Sequence, residues 1–146
     1  MKLRFPKLLT VIIISFASFA CASVNLAEPD EDSAAKAFDV ADGASNIYIF
    51  RSEDVILNTG VSIEVDGKPM GNTGPKTFIL ATVSPGKHRI TATGENTDQL
   101  EVETASGENY FVWLEIRIGA FTNHGHLHLV NEDEGKKGVM ASKLIK

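Results

Sequence analysis

Three of the four histidines fall within one short stretch, TNHGHLHLV, at positions 124, 126 and 128. Imidazole is a common ligand of zinc and copper, so the spacing raises a metal site as a first reading. In an extended strand, alternate residues share a face and lie about 6.5–7 Å apart, which puts His124 and His128 about 13 Å apart. With bonds of about 2 Å, one ion cannot join the outer two. At most one adjacent pair can serve one ion, and a third ligand must come from a neighbouring strand. The preceding segment, YFVWLEIRIG, offers Glu115 on the face opposite its main apolar stripe. A register that sets Glu115 beside His126 makes a two-histidine, one-carboxylate zinc or copper site. The simpler expectation is that Leu127 and Leu129 point into a core, while His124, His126 and His128 form the polar half of an alternating strand. Three such imidazoles would also charge together below about pH 6.5, a pH-responsive patch.

Other reactive arrangements are sparse. DGKPMGNTGPK has the glycines and lysines of a phosphate loop, but it joins two strands and reads as a long hairpin turn. The G-x-S-x-G nucleophile elbow is absent. Carboxylates cluster in QLEVET and NEDEG, where a solvated strand face and a charged loop account for them. Phe111 and Trp113 share the less apolar face of their strand. Uncovered, they form a patch able to stack on a sugar or hold a partner; covered by a second layer, they are core.

The elements that must position these residues are short strands. NIYIFR is apolar on both faces. GVSIEVDG sets Val61, Ile63 and Val65 against Ser62 and Glu64, and ends in the turn signal Asp66-Gly67. TFILATV, HRITATG and QLEVET follow, the last two alternating cleanly, with SPGKH as a turn between the first pair. YFVWLEIRIG places Tyr110, Val112, Leu114, Ile116 and Ile118 on one face. NEDEGKKG reads as a charged loop or single helical turn, and VMASKLI as a last strand. No intervening segment is long enough for a crossover helix. The expected fold is all-β: an antiparallel β-sandwich (Ig-like or prealbumin-like) or Greek-key barrel of about seven to eight strands.

The N-terminus reads as an address. MKLRFPKLLTVIIISFASFACAS has a basic start and an apolar run from Leu8 to Ala20, about 13 residues against the ~20 needed to span a bilayer. Residues 1–20 are expected to be a signal peptide. Removing them leaves 11 basic against 19 acidic residues, a net charge of −8. Such a surface repels phosphate backbones, so nucleic acid is excluded as a partner. The sole cysteine, Cys21, allows no internal disulfide. Its position directly after the apolar run resembles the lipobox of bacterial lipoproteins, in which the thiol carries a diacylglycerol and the new amine a further acyl chain, such as palmitate. Two or more chains make a stable anchor where one does not. Ser18 and Phe19 depart from the usual lipobox residues. Ala20-Cys21-Ala22 is also a small-x-small site for ordinary signal peptidase, which would release a soluble periplasmic protein. Ala22, in place of the aspartate that retains lipoproteins in the inner membrane, implies the outer membrane, periplasmic side. Residues 21–45 are small and polar and read as the anchor cysteine and a flexible tether, with SAAKAF able to form one or two helical turns capped by Ser33. Residues 46–146 are the β-domain.

The order of AAKAF (34–38), IYIFR (47–51), IEVDG (63–67), VSPGKH (83–88), ASGENYFVWLEI (105–116) and LHLVNEDEG (127–135) resembles a family of Gram-negative envelope lipoproteins known as a domain of unknown function. VDGKPMG…PGKH is more weakly similar to surface-associated domains that carry a proline-glutamate-glycine-alanine motif, although the motif itself is absent. The first resemblance implies an envelope β-domain and no known reaction. The expectation is therefore a membrane-anchored, non-catalytic binding or structural module whose partner is an envelope protein or glycan. The alternatives are a periplasmic zinc- or copper-binding protein using the histidine strand, and a carbohydrate-binding module using Trp113.

Overall fold

The computed structural model describes residues 24–54, 60–120 and 122–146. Residues 1–20, expected to be a signal peptide, and Cys21 lie outside the described residues. In chain order the elements are α1 (Pro29–Ala35), β1 (Ser45–Phe50), β2 (Val61–Val65), β3 (Lys68–Thr73), β4 (Thr77–Val83), β5 (Gly86–Thr93), β6 (Thr97–Thr104), β7 (Asn109–Ile118), β8 (Asn123–Val130), α2 (Glu132–Met140) and β9 (Lys143–Leu144). They build a five-stranded sheet, β8-β7-β1-β4-β9, and a four-stranded sheet, β3-β2-β5-β6.

The all-β sandwich expectation holds, and the alternations place the core. Val61, Ile63 and Val65 of β2 and Ile90 and Ala92 of β5 meet Ile47, Ile49, Val112 and Leu114 of the facing sheet. Two pairings differ from the expected antiparallel arrangement: the short β9 runs parallel to β4, and β1 runs parallel to β7, with Tyr48 opposite Phe111. A parallel pair needs a crossover, usually a helix. Here the whole second sheet (β2, β3, β5 and β6), together with β4 of the first, is threaded between β1 and β7 and serves as that connection. The nominal hairpin DGKPMGNTGPK resolves into a two-residue turn at Asp66 and Gly67, both at positive φ, followed by β3.

The strand β1 is buried along its whole length because a third layer covers the outer face of its sheet. Tyr48, Phe50, Phe78 and Phe111 form a second apolar cluster with Ala35 of α1 and Val139 of α2. Tyr48 stacks on Phe111 with ring centroids 5.2 Å apart. Its hydroxyl donates to the Ala35 carbonyl at 2.9 Å, and burial pushes its pKa up to about 12, so it remains a neutral donor.

Two expectations are corrected by this layer. Residues 24–45 are not a bare tether. The first helix begins at Pro29 behind the capping residue Glu28, earlier than SAAKAF suggested, and Ser33 is an exposed residue within it. Asp32 fixes α1 to the C-terminal strand: its carboxylate accepts from Lys36 Nζ and from the Leu144 amide, both at 2.7 Å. NEDEGKKG is likewise more than the expected charged loop or single helical turn. It is the body of α2, capped by Asn131 accepting from the Glu134 amide, with three acidic residues at its positive end and a Glu132–Lys136 pair. In VMASKLI, Val139 and Met140 end that helix, Ala141 caps it, and only Lys143–Leu144 form the strand, with Ile145 bridging to Leu26.

Candidate functional site

The β7–β8 hairpin carries most of the residues singled out above. Its register places Glu115 opposite His126, His128 opposite Trp113 and His124 opposite Arg117. The expected neighbour of Glu115 is therefore in position. The carboxylate nevertheless turns elsewhere. Its Oε2 accepts from Arg117 Nε at 3.0 Å and from Nε2 of His128, diagonally across the ladder, at 2.9 Å. Because a carboxylate only accepts, His128 carries its proton on Nε2. The Arg117 hydrogen bond first, and His128 with it, hold the Glu115 pKa below the usual carboxylate range against a smaller opposing effect of desolvation. A zinc or copper ion there would have to displace a guanidinium. Exposed His124 bonds the hydroxyl of Thr122 at 2.9 Å instead. Among the described residues, no three His, Cys, Asp or Glu side chains are arranged to hold an ion.

The histidines do face away from the inter-sheet core, on the side opposite Leu127. Leu129 departs from expectation: it is 53% exposed. It lies near the end of an edge strand, where alternation gives it a direction but no cover. The same edge is closed to strand addition. Side chains from the β6 end fill the free amides of β8: Asn96 Oδ1 accepts from Gly125 N at 2.7 Å and Asp98 Oδ2 from Leu127 N at 2.8 Å. Glu95 accepts from Asn123 N in the same way.

The proposed aromatic patch divides. Phe111 is 1% exposed and packed under the third layer, so it cannot contact a ligand. Trp113, one turn of the pleat further on, is only half-buried. It lies between Phe50 of β1 and His128 of β8, opposite both in the ladders, and its ring centroid is 5.4 Å from that of His128. Its indole N–H is buried and has no acceptor among the described residues. Trp113 and Phe50 line a cleft of about 260 Å³ beneath α2, with Ser52, Glu134 and Lys137 at its margin. Gly138 opens this cleft, for a Cβ there would fall 2.1 Å from the edge of the Phe50 ring. The result is a small aromatic cleft with a hydroxyl, a carboxylate and an ammonium around it, which is the composition of a site for a polar ligand with an apolar face.

The fourth histidine was not singled out as a site, although the alternation in HRITATG already set it on the core face with Ile90 and Ala92. His88 is buried, with Nδ1 2.7 Å from Asp66 Oδ2 and Nε2 2.7 Å from the Ser84 carbonyl oxygen. Both partners are acceptors, so both nitrogens carry protons and the ring is an imidazolium. Desolvation is the largest influence and acts against the charge, but the Asp66 hydrogen bond, the Ser84 carbonyl and the Asp66 charge together outweigh it and raise the pKa. Asp66 also accepts from the Arg89 amide, so the ion pair ties the β2–β3 turn to β5.

An uncharacterized protein of Haemophilus influenzae is 31% identical over 132 residues, covering 89% of this chain and 79% of the relative. Residues 41–126, from the approach to β1 through the first half of β8, match the family model described as a protein of unknown function, DUF2846. On both grounds, the chain belongs to the DUF2846 family.

Proposed function

We propose that the protein is an envelope lipoprotein, acylated at Cys21 and held on the periplasmic side of the outer membrane, whose β-domain is a non-catalytic binding module. The observation that carries the anchor is the position of the only cysteine, immediately after a 13-residue apolar run with a basic start. A non-catalytic role is supported by the state of the titratable groups most suited to chemistry. Glu115 is held by Arg117 and His128, and His88 is locked between two acceptors. Metabolic labelling of cells with a clickable palmitate tests the anchor. Label should appear on the wild-type protein and vanish in Cys21→Ala; an unlabelled mature protein sinks the proposal and leaves the soluble periplasmic form.

A second reading, a carbohydrate-binding module, is favoured by the cleft around Trp113. The indole face beside Ser52, Glu134 and Lys137 suits a sugar that stacks and hydrogen-bonds at once. Trp113 is the only tryptophan, so its emission reports the site directly. Titration with envelope glycans should shift that emission, and an unchanged spectrum removes this reading.

A further inference from the structure

The chain leaves very little slack between the proposed anchor and the folded domain. Only Ala22 and Ser23 separate Cys21 from Val24, which is half-buried and packed against the inter-sheet core. Val24 sits on the β3–β4 turn so closely that a Cβ at Gly74 would lie 2.8 Å from its Cγ2. The following residues run along β9. The Asn25 carbonyl accepts from Lys146 N at 2.8 Å, Leu26 pairs with Ile145, and Ala27 N donates to the Leu144 carbonyl at 2.9 Å. The segment is thus fixed to the domain from Val24 onward. Three residues fully extended span at most about 10 Å.

From this, and resting on acylation of Cys21, we infer that the domain sits directly on the lipid surface, with the face formed by Leu26, the Gly74–Lys76 turn and the β9 end turned towards the bilayer. The occupant of this face is the headgroup region of the membrane that holds the anchor. Leu26 is 50% exposed there, an apolar side chain placed to reach the interface. Lys76, Lys143 and Lys146 surround it, but Lys76 already pairs with Asp54 at 2.6 Å and Lys146 with Glu31 at 3.2 Å. Tether length and the exposed leucine therefore hold the face in place more than charge does, and contact should depend little on salt. The Ser106-Gly107 turn lies at the other end of the sheet: β7 starts beside the first residues of β1, which pair with the last residues of β4. The seven residues of β4 separate the two ends by about 20 Å. The cleft at Trp113 and the histidine edge are likewise displaced, since β8 is four strands away from β9.

The test uses the full-length protein, purified in acylated form and reconstituted into phosphatidylethanolamine–phosphatidylglycerol vesicles that contain a headgroup-depth nitroxide lipid. In an acylated protein the sulfur of Cys21 is a thioether, so an introduced cysteine is the sole thiol for a fluorophore. Leu26→Cys and Ser106→Cys are labelled separately; both positions are exposed. Over a separation of about 20 Å, the label at 26 should be quenched at least about two-fold more than the label at 106. Inserting a Gly-Ser spacer of about 20 residues between Ser23 and Val24, worth about 25 Å of mean reach, should abolish the difference. Equal quenching at the two positions in acylated protein, or a difference that survives the spacer, overturns the placement. Intact mass is measured first: a mature protein lacking the acyl chains overturns the anchor itself, and this placement with it.

Discussion

Substitution of Gly135 by alanine should destabilise the protein, although the same change in an exposed helix would stabilise it. An interior helical glycine ordinarily costs about 1 kcal/mol relative to alanine. In α2, a Cβ at Gly135 would lie 2.1 Å from Phe111 Cγ and 2.2 Å from its Cβ. Carbon atoms rest at about 3.5–4.0 Å, so the helix and strand must separate by roughly 1.5 Å. The clash is with the root of the phenylalanine, which no rotation of the ring removes, and the ring itself is stacked on Tyr48. Lifting the helix uncovers Val139, now fully buried, and strains the bond from Ser142 Oγ to the Arg51 carbonyl. Overpacking of this kind costs about 1–3 kcal/mol. With the helical gain set against the upper half of that range, the net loss is about 1–2 kcal/mol. For an m-value near 2 kcal/mol/M, the urea midpoint should fall by about 0.5–1 M. Gly138→Ala should cost less, because its contact is with the outer edge of Phe50, which can swing into the adjoining cleft. Urea unfolding followed by Trp113 fluorescence measures both variants. A G135A protein as stable as wild type, or more so, would refute the close helix–sheet contact.

His88 makes stability depend on alkaline pH. Its folded pKa is raised above the unfolded value of about 6.5, so its contribution is complete below that pH and is lost as pH rises through the folded pKa. Urea midpoints of the wild type should drop relative to His88→Gln between pH 6 and 9; parallel profiles would contradict the imidazolium assignment. Asp32 acts at the other end of the scale. Desolvation opposes its charge, but Lys36 and the Leu144 amide outweigh it and lower the pKa, so its contribution holds above about pH 3.9 and is lost as pH falls through the folded value. Asp32→Ala should remove about 1–3 kcal/mol at pH 7, by leaving a buried amide without its acceptor, and should increase hydrogen exchange at Leu144. Unchanged exchange there would show that α1 docks without this contact.

Much of the sandwich was legible in the chain because alternation is a local property. Val61/Ile63/Val65, His88/Ile90/Ala92 and Tyr110/Val112/Leu114 each announce a face, and each of those faces meets the other sheet. The doubly apolar NIYIF announces a strand covered on both sides, as β1 is. What supplies the second cover was hidden. Two glycines make EDEGKKGVM a poor helix by propensity, and only the aromatic surface of Phe50 and Phe111 gives their missing side chains a purpose. The parallel pairing of β1 with β7 joins residues more than sixty positions apart, and no local pattern encodes a partner at that range. The histidine strand shows the same division. Its alternation and its distance limit on a shared metal follow from the residues alone. That Glu115 lies opposite His126 yet bonds His128 and Arg117, that Leu129 finds no cover, and that Trp113 borders a cleft while Phe111 does not, were decided only when the sheets and helices packed. A side chain's direction is set by its own backbone, whereas its neighbours are set by the whole chain.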